Sequence, residues 1–131
     1  MGQQQLLLII LGVILVAVAV AVGLTIFKAQ AAGQNRDAVW NDLNQLGARA
    51  QAFYRRPSFL GGGGKSFLSF SLYTTEVKND NGEYGITSKI IDEVIIQGTG
   101  TEIGNDQKNP VQIIMIVHPD TMYVDEKTGI N

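Results

Sequence analysis

At 131 residues the chain has the length of one domain, and its composition limits the chemistry that it can carry. The sequence contains no cysteine, which excludes disulfides, a thiolate nucleophile and any metal site built on sulfur. The formal net charge of −2 gives no reason to expect a nucleic-acid partner. His118 is the single histidine and leaves little material for acid–base catalysis, so we expect no enzyme activity, no cofactor and no metal.

The charged residues are unevenly distributed between the two halves of the sequence. Residues 1–65 carry six basic and two acidic side chains, a net charge of +4. Residues 66–131 carry four lysines and ten acidic side chains, a net charge of −6. This asymmetry indicates either an anionic surface near the first half or electrostatic attraction between copies of the chain.

Residues 6–27 form one continuous apolar segment. Thr25 is its only polar side chain, and Lys28 is the first ionisable side chain of the sequence. As an α-helix this segment would extend about 33 Å, which is enough to cross a bilayer core of about 30 Å. A cleaved secretory signal would have a basic leader and a shorter apolar region. We therefore predict that residues 1–27 are a retained helix that spans a membrane or is buried like one.

A second pattern begins after the apolar segment. Apolar residues recur at alternating spacings of four and three, which is typical of a helix with one apolar face. The helix is expected to stop before Pro57. The sequence thus predicts one helix over residues 3–54, most easily loosened at Gly23 or Gly33, with residues 28–56 as its amphipathic part. The side chains expected to pack against the rest of the chain are Val39, Trp40, Leu43, Leu46 and Phe53.

Residues 57–65 contain four consecutive glycines before Lys65, which superficially matches a phosphate-binding loop. The pattern G-x-x-x-x-G-K-[ST] requires a glycine where this sequence has Phe59. It also requires a strand before the loop and a helix after it, whereas here a helix precedes and a strand is predicted to follow. We interpret the glycines as a connector that gives the backbone freedom to leave the helix.

Residues 66–131 are predicted to form an antiparallel sheet of four or five strands. Residues 66–73 alternate apolar side chains with serines, as in a half-buried strand. Asn81-Gly82 is a hairpin-turn signal between two extended segments. Residues 93–99 and 110–119 are two further strands, and a short edge strand with a polar tail follows. The predicted fold class is α+β, with the long helix packed under this small sheet.

Other candidate sites in the β region have simpler structural interpretations. Asp92 and Glu93 are neighbours on an extended segment, so their side chains point to opposite faces and do not form a catalytic pair. The oxygen-rich turns at residues 79–82 and 104–109 do not match a calcium-binding loop. We interpret His118, which precedes Pro119 at a strand end, as a structural or exposed residue.

The N-terminal sequence MGQQQLLLIILGVILV, followed by an amphipathic helix, a loop and a small antiparallel sheet, resembles the type IV pilins. The resemblance covers the whole chain in outline. It implies that the N-terminal helix forms the core of a filament, with the β region on the outer surface. It also implies an inner-membrane pool, processing by prepilin peptidase, the pilus assembly machinery as partner, and an extracellular pilus with a role in adhesion or motility. The residues assigned to filament assembly are Met1, Gln5, Leu6, Leu7, Leu8, Ile9, Ile10, Gly12, Ile14 and Gly23.

Three features depart from the family pattern. Gln5 stands where the family typically has a glutamate that compensates the N-terminal amine of a neighbouring subunit. Val22 and Gly23 stand where many members have a proline that bends the helix. The chain also has no cysteines for the C-terminal disulfide that many members contain.

Two functions are compatible with this sequence. In the first, small side chains between Gly12 and Gly23 let apolar helices pack closely in a homopolymer. In the second, the apolar segment is a single-pass anchor, and an extracytoplasmic β domain binds a ligand or a partner. The second function predicts a concave polar pocket in the β domain and no polymer.

Overall fold

The computed structural model describes residues 2–125 and divides into two compact units, Met1–Ala31 and Ala32–Asn131. Helix α1, Gly2–Arg55, contributes to both units and runs through Gly23 and Gly33. The predicted single helix is confirmed to within one residue at each end.

In the N-terminal unit, the helix presents its side chains on all sides. Every described side chain up to residue 30 is exposed. Beyond the first turn the backbone N–H groups bond within the helix, and the Thr25 hydroxyl donates a hydrogen bond to the Ala21 carbonyl at 2.9 Å. The segment therefore leaves few polar groups that need water, which is the requirement for a helix in an apolar environment.

The C-terminal unit contains the second part of α1 and a five-stranded antiparallel sheet, which confirms the predicted α+β fold class. Each strand pairs with the next one along the chain, in the order β1-β2-β3-β4-β5. The strands are β1 Lys78–Asn79, β2 Gly82–Lys89, β3 Val94–Ile103, β4 Pro110–Val117 and β5 Met122–Val124. The predicted hairpin is present, but its two-residue loop is Asp80 and Asn81, one residue before the predicted Asn81-Gly82, and Gly82 begins β2. A 3-10 helix, Ser58–Leu60, and a short helix α2, Thr74–Val77, precede the sheet.

The apolar stripe of α1 packs against the inner face of the sheet. Alternate residues of β3 and β4 point toward α1, as the period of two in a strand requires. The approach is close enough that a β-carbon at Gly98 would lie 2.7 Å from Val39 Cγ1. The buried cluster comprises Val39, Leu43, Leu46, Ala50, Phe67, Phe70, Tyr84, Val94, Ile96, Ile113, Met115 and Val117.

The strand predicted at residues 66–73 is wrong. Phe67 and Phe70 are both fully buried, whereas Leu68 is 52% exposed, so the buried positions are three apart and not two. A turn joins them, since the Phe70 N–H donates to the Phe67 carbonyl at 2.9 Å. The Phe70 ring packs edge-on against Phe53, with centroids 5.5 Å apart. The two phenyl rings fill the core from an irregular segment that has no partner strand in the described sheet.

The glycine-rich loop caps the C-terminus of α1. The N–H groups of Gly63 and Lys65 donate to the carbonyls of Phe53 and Tyr54 at 2.8 and 2.9 Å. Gly61 has φ +80°, a left-handed conformation that glycine adopts without steric cost. These amides satisfy carbonyls that the helix end would otherwise leave unpaired, so they do not form a phosphate cradle.

Candidate functional site

The helix of the N-terminal unit exposes large apolar side chains on all sides. Between residues 6 and 27 every leucine, isoleucine, valine and phenylalanine is between 53% and 69% exposed. The helix is long and apolar enough to cross a membrane by length and composition. Such a surface is unfavourable in water, because the cost of hydrating apolar groups scales with the exposed area. The segment is therefore compatible with a lipid bilayer or with other apolar helices around it.

The residues assigned to filament assembly lie on this helix, apart from Met1, which lies outside the described residues. Gln5, Leu6, Leu7, Leu8, Ile9, Ile10 and Ile14 are all exposed. Gly12 and Gly23 have open space where a β-carbon would stand. Together with Ala19 they are spaced seven and four apart, which places the three small residues on one face of the helix. This face would allow another helix to approach closely.

A line of polar side chains runs along α1 beside its apolar stripe. These side chains form hydrogen bonds and an ion pair with other segments of the C-terminal unit. Asn35, Asp42 and Arg49 are seven residues apart, so they lie along one edge of the helix. Asn35 donates to the Asn81 carbonyl at 2.8 Å and accepts a hydrogen bond from the Glu102 N–H at 3.2 Å. The sequence interpretation did not single out these residues, although their spacing of seven was a visible signal.

Asp42 is the middle member of this line, and three side chains donate hydrogen bonds to it. One carboxylate oxygen accepts hydrogen bonds from Asn79 at 2.8 Å, Asn81 at 2.9 Å and the Tyr84 hydroxyl at 2.5 Å. Burial raises the pKa of Asp42, but the hydrogen bonds from Tyr84, Asn81 and Asn79 together outweigh burial and lower it below 3.8. Burial, followed by the hydrogen bond to Asp42 and its negative charge, raises the pKa of the Tyr84 hydroxyl well above its usual value. The pair holds the β1–β2 hairpin on the helix.

Arg49 holds the irregular segment before β1. Its guanidinium donates to the Ser71 carbonyl at 2.9 Å and pairs with the Glu76 carboxylate at 2.6 Å. It also lies over the rings of Phe70 and Tyr73, at 4.8 and 4.4 Å from their centroids. These contacts combine a charge-assisted hydrogen bond with cation–π packing.

The carboxylates of Asp92 and Glu93 have separate structural partners. Asp92 accepts a hydrogen bond from the Tyr54 hydroxyl at 3.2 Å. Glu93 Oε2 lies 3.5 Å from His118 Nε2, and the His118 ring stacks on Tyr123 with centroids 5.8 Å apart. These interactions position the β2–β3 and β4–β5 connections.

The side chains assigned to helix packing have different surroundings. Val39 and Leu43 are fully buried, Leu46 is buried, and Phe53 is half-buried against the core. Trp40 is 43% exposed and lines an open depression together with Ile113 of β4.

Two open depressions lie on the C-terminal unit. One, of about 280 Å³, is lined by Arg36, Asp37, Trp40 and Ile113. The other, of about 300 Å³, is lined by Asp42, Gln45, Leu46, Arg49, Thr75, Glu76, Asn79 and Tyr84. Several of the polar groups in the second depression already bind one another, including Asp42 with Tyr84 and Arg49 with Glu76.

Comparison of the chain with protein-family models, with curated proteins and with solved structures finds no match. Within residues 2–125, no group of three or more histidine, aspartate or glutamate side chains is arranged to hold a metal ion. The candidate functional surfaces are therefore the exposed apolar helix and the outer surfaces of the C-terminal unit.

Proposed function

We propose that this chain is the structural subunit of an extracellular type IV pilus-like filament, which assembles through the apolar part of α1. The observation that supports the proposal best is the exposure of every large apolar side chain between residues 6 and 27. The proposal also draws on the resemblance of the N-terminal sequence to the type IV pilins. A homopolymer would bury this surface against identical surfaces of other copies.

Transfer from a membrane to a filament core is physically reasonable for this helix. A helix that is apolar on all sides loses little when equally apolar helices replace lipid around it. The face with Gly12, Ala19 and Gly23 then allows close backbone approach. Prepilin peptidase and a pilus assembly machinery are the partners that this proposal requires, and an inner-membrane pool would precede assembly.

A membrane-anchored ligand-binding protein is the second candidate. The length and apolar composition of the helix favour it equally, since a single span needs nothing more. Its ligand would occupy the depression of about 300 Å³ beside Asp42 and Arg49. This candidate predicts a monomeric or dimeric species in detergent and no fibres.

The first experiment is negative-stain microscopy of material sheared from cells that express the full chain, with the pelleted protein identified by mass. Thin uniform fibres that contain the chain would support the filament. Protein that remains with the membranes, with no fibres, would favour the anchored candidate.

A pair of variants separates a filament core from a plain anchor. Gly23→Leu keeps the helix apolar, and a β-carbon at this position has nothing within 4 Å, so membrane insertion should be unchanged. In a filament, the added side chain would block close helix packing and reduce the fibre yield. Val22→Leu is the matched control, because it adds bulk at a position that already carries a branched side chain. Equal fibre yields from both variants would argue against tight packing at Gly23.

A further inference from the structure

The two ends of the sheet in the C-terminal unit carry different surfaces. The turn end consists of the β1–β2 turn at residues 80–81 and the β3–β4 connection with its flanks, residues 102–109. The loop end consists of the helix C-terminus and glycine-rich loop at residues 55–68 together with residues 90–93, which connect β2 to β3. Antiparallel pairing places these connections at opposite ends of the strands.

The loop end exposes large apolar side chains. Phe59 is 83% exposed and Leu60 is 60% exposed, both on the 3-10 helix that follows α1. Leu68 and Ile91 are also more than half exposed. The loop and the β2–β3 connection adjoin, since the Phe67 N–H donates to the Ile91 carbonyl at 3.1 Å. Exposed apolar groups clustered in this way are typical of a surface that contacts a partner.

The charges around these apolar groups are positive on the helix side of the loop end. Arg56 and Lys65 are exposed there. Three acidic groups lie on the sheet side of this end. Asp92 accepts a hydrogen bond from the Tyr54 hydroxyl and Glu93 lies beside His118, whereas Asp120, on the β4–β5 connection, is exposed.

The turn end has the complementary character. Ile103 is 56% exposed at the end of β3. Glu102 precedes it in the same strand, Asp80 lies in the β1–β2 turn, and both side chains are exposed. Asp106 adds a third carboxylate, whose pKa is lowered by hydrogen bonds from the backbone N–H groups of Asn109 and Lys108. Lys108 is the one cation of the turn end as defined above.

We propose that the loop end of one copy docks on the turn end of a second copy. Phe59 and Leu60 would meet Ile103, and Arg56 and Lys65 would face the carboxylates of the turn end. Because the two surfaces differ, the contact is heterologous, and its repetition gives an open helical assembly when the rotation between copies does not close a ring. This inference rests on the proposed filament and names a contact within it, outside the apolar helix. A second copy is favoured over an anionic membrane because the matching surface, with opposite charge, is present on the same chain.

Cysteine cross-linking tests the contact directly, since the chain has no cysteine of its own. Sheared filaments of the double variant Leu60→Cys with Ile103→Cys are oxidised and separated on a non-reducing gel. We expect a ladder of covalent oligomers that collapses to monomer on reduction. Each single variant should remain monomeric, and so should a control pair of Thr75→Cys with Ile103→Cys, because Thr75 is exposed on α2 and belongs to neither end.

The outcomes separate this contact from the filament itself. If filaments form but give no ladder, the proposed contact is wrong and the proposed filament is still supported. A dimer from Leu60→Cys alone would show that loop ends meet each other, which also overturns it. If the wild-type chain forms no filaments, the same oxidation is applied to the membrane-held protein. A ladder in that experiment supports the contact and contradicts the proposed filament. No ladder contradicts both proposals.

Charge reversal provides a second test that does not depend on sulfur chemistry. Arg56→Glu should reduce the amount of sedimented filament by about tenfold, because a like charge then faces the turn end. Adding Glu102→Lys to that variant should restore most of the yield. An unchanged yield in the single variant, or no recovery in the double variant, contradicts the contact. If Arg56→Glu instead weakens binding of the full chain to anionic lipid vesicles and leaves filaments intact, the loop end is a lipid-binding surface.

Discussion

The two parts of α1 share one backbone geometry and have opposite burial. Up to residue 30 every described side chain is exposed, although most of the side chains are apolar. From residue 32 the helix is more polar, yet it buries Ala32, Val39, Leu43, Leu46, Gly47 and Ala50. Apolar composition and burial within the chain are therefore inversely related along this helix.

The pattern of the apolar residues explains this inversion. One sheet covers one face of a helix, so it can bury a stripe with a period of three to four residues. It cannot bury a helix that is apolar on every side. The exposed apolar surface of the first part therefore indicates an apolar environment on every side of the helix. Four substitutions test this difference between the two parts of α1, given from the largest expected effect to the smallest.

Ile14→Lys places a charge in the middle of the apolar segment. A charge at the centre of a membrane helix costs about 2.5–3.5 kcal/mol, so we expect the yield of filaments to fall by about a hundredfold. Thr87→Lys, on the exposed face of β2, is the control and should assemble normally. The measurement is the amount of chain in sheared, sedimented filaments. Equal yields from both variants would contradict an apolar role for this part of α1.

Leu43→Ala tests the buried part of the helix. Leu43 is fully buried in the core, so its truncation should lower the free energy of unfolding by about 2–5 kcal/mol. Leu11→Ala removes the same atoms from the exposed part and should change that free energy by less than about 0.5 kcal/mol. Urea unfolding of the full chain in detergent, followed by Trp40 fluorescence, measures both. Similar losses would mean that the two parts of α1 are energetically coupled.

Gly98→Ala tests how closely β3 packs against the buried part of α1. The added methyl group would lie 2.7 Å from Val39 Cγ1 and 3.1 Å from Tyr84 Cε1. This overpacking should cost about 1–3 kcal/mol in the same unfolding experiment. Gly85→Ala, on the neighbouring strand, meets nothing within 4 Å and should be close to neutral. A stable Gly98→Ala variant would show that the helix and sheet can separate without loss.

Asp42→Asn tests the polar edge of the buried part, with an expected loss of about 1 kcal/mol at neutral pH. Hydrogen bonds from Tyr84, Asn81 and Asn79 outweigh burial and hold the folded-state pKa of Asp42 below 3.8. Its contribution is therefore fully present above pH 3.8 and is lost as the pH falls through the folded-state pKa. The difference in urea midpoint between wild type and variant should shrink below pH 3.8. A difference that stays constant on acidification would exclude the charge of Asp42 as its cause.

Local patterns predicted most of the elements. The helix, the β1–β2 hairpin, the strands β3 and β4 and the short edge strand follow from periodicity and turn residues, although the hairpin turn lies one residue before the predicted Asn81-Gly82. Residues 66–73 were mispredicted because their alternation of apolar and polar side chains is genuine, but the backbone finds partners elsewhere. Arg49 binds the Ser71 carbonyl and Lys89 binds the Phe70 carbonyl, at 2.9 and 3.1 Å. These side-chain contacts take the place of a strand ladder.

A reader of the sequence can establish that α1 is one helix with two kinds of surface, because helical period and hydropathy are properties of neighbouring residues. The hydrogen-bond partners of Asn35, Asp42 and Arg49 are set only by the folded unit, since those partners are distant in sequence. The same is true of the partial exposure of Trp40, which depends on what covers this part of the helix in the folded unit. It is true also of the contrast between the loop end and the turn end, because antiparallel pairing brings separate connections together only when the sheet forms.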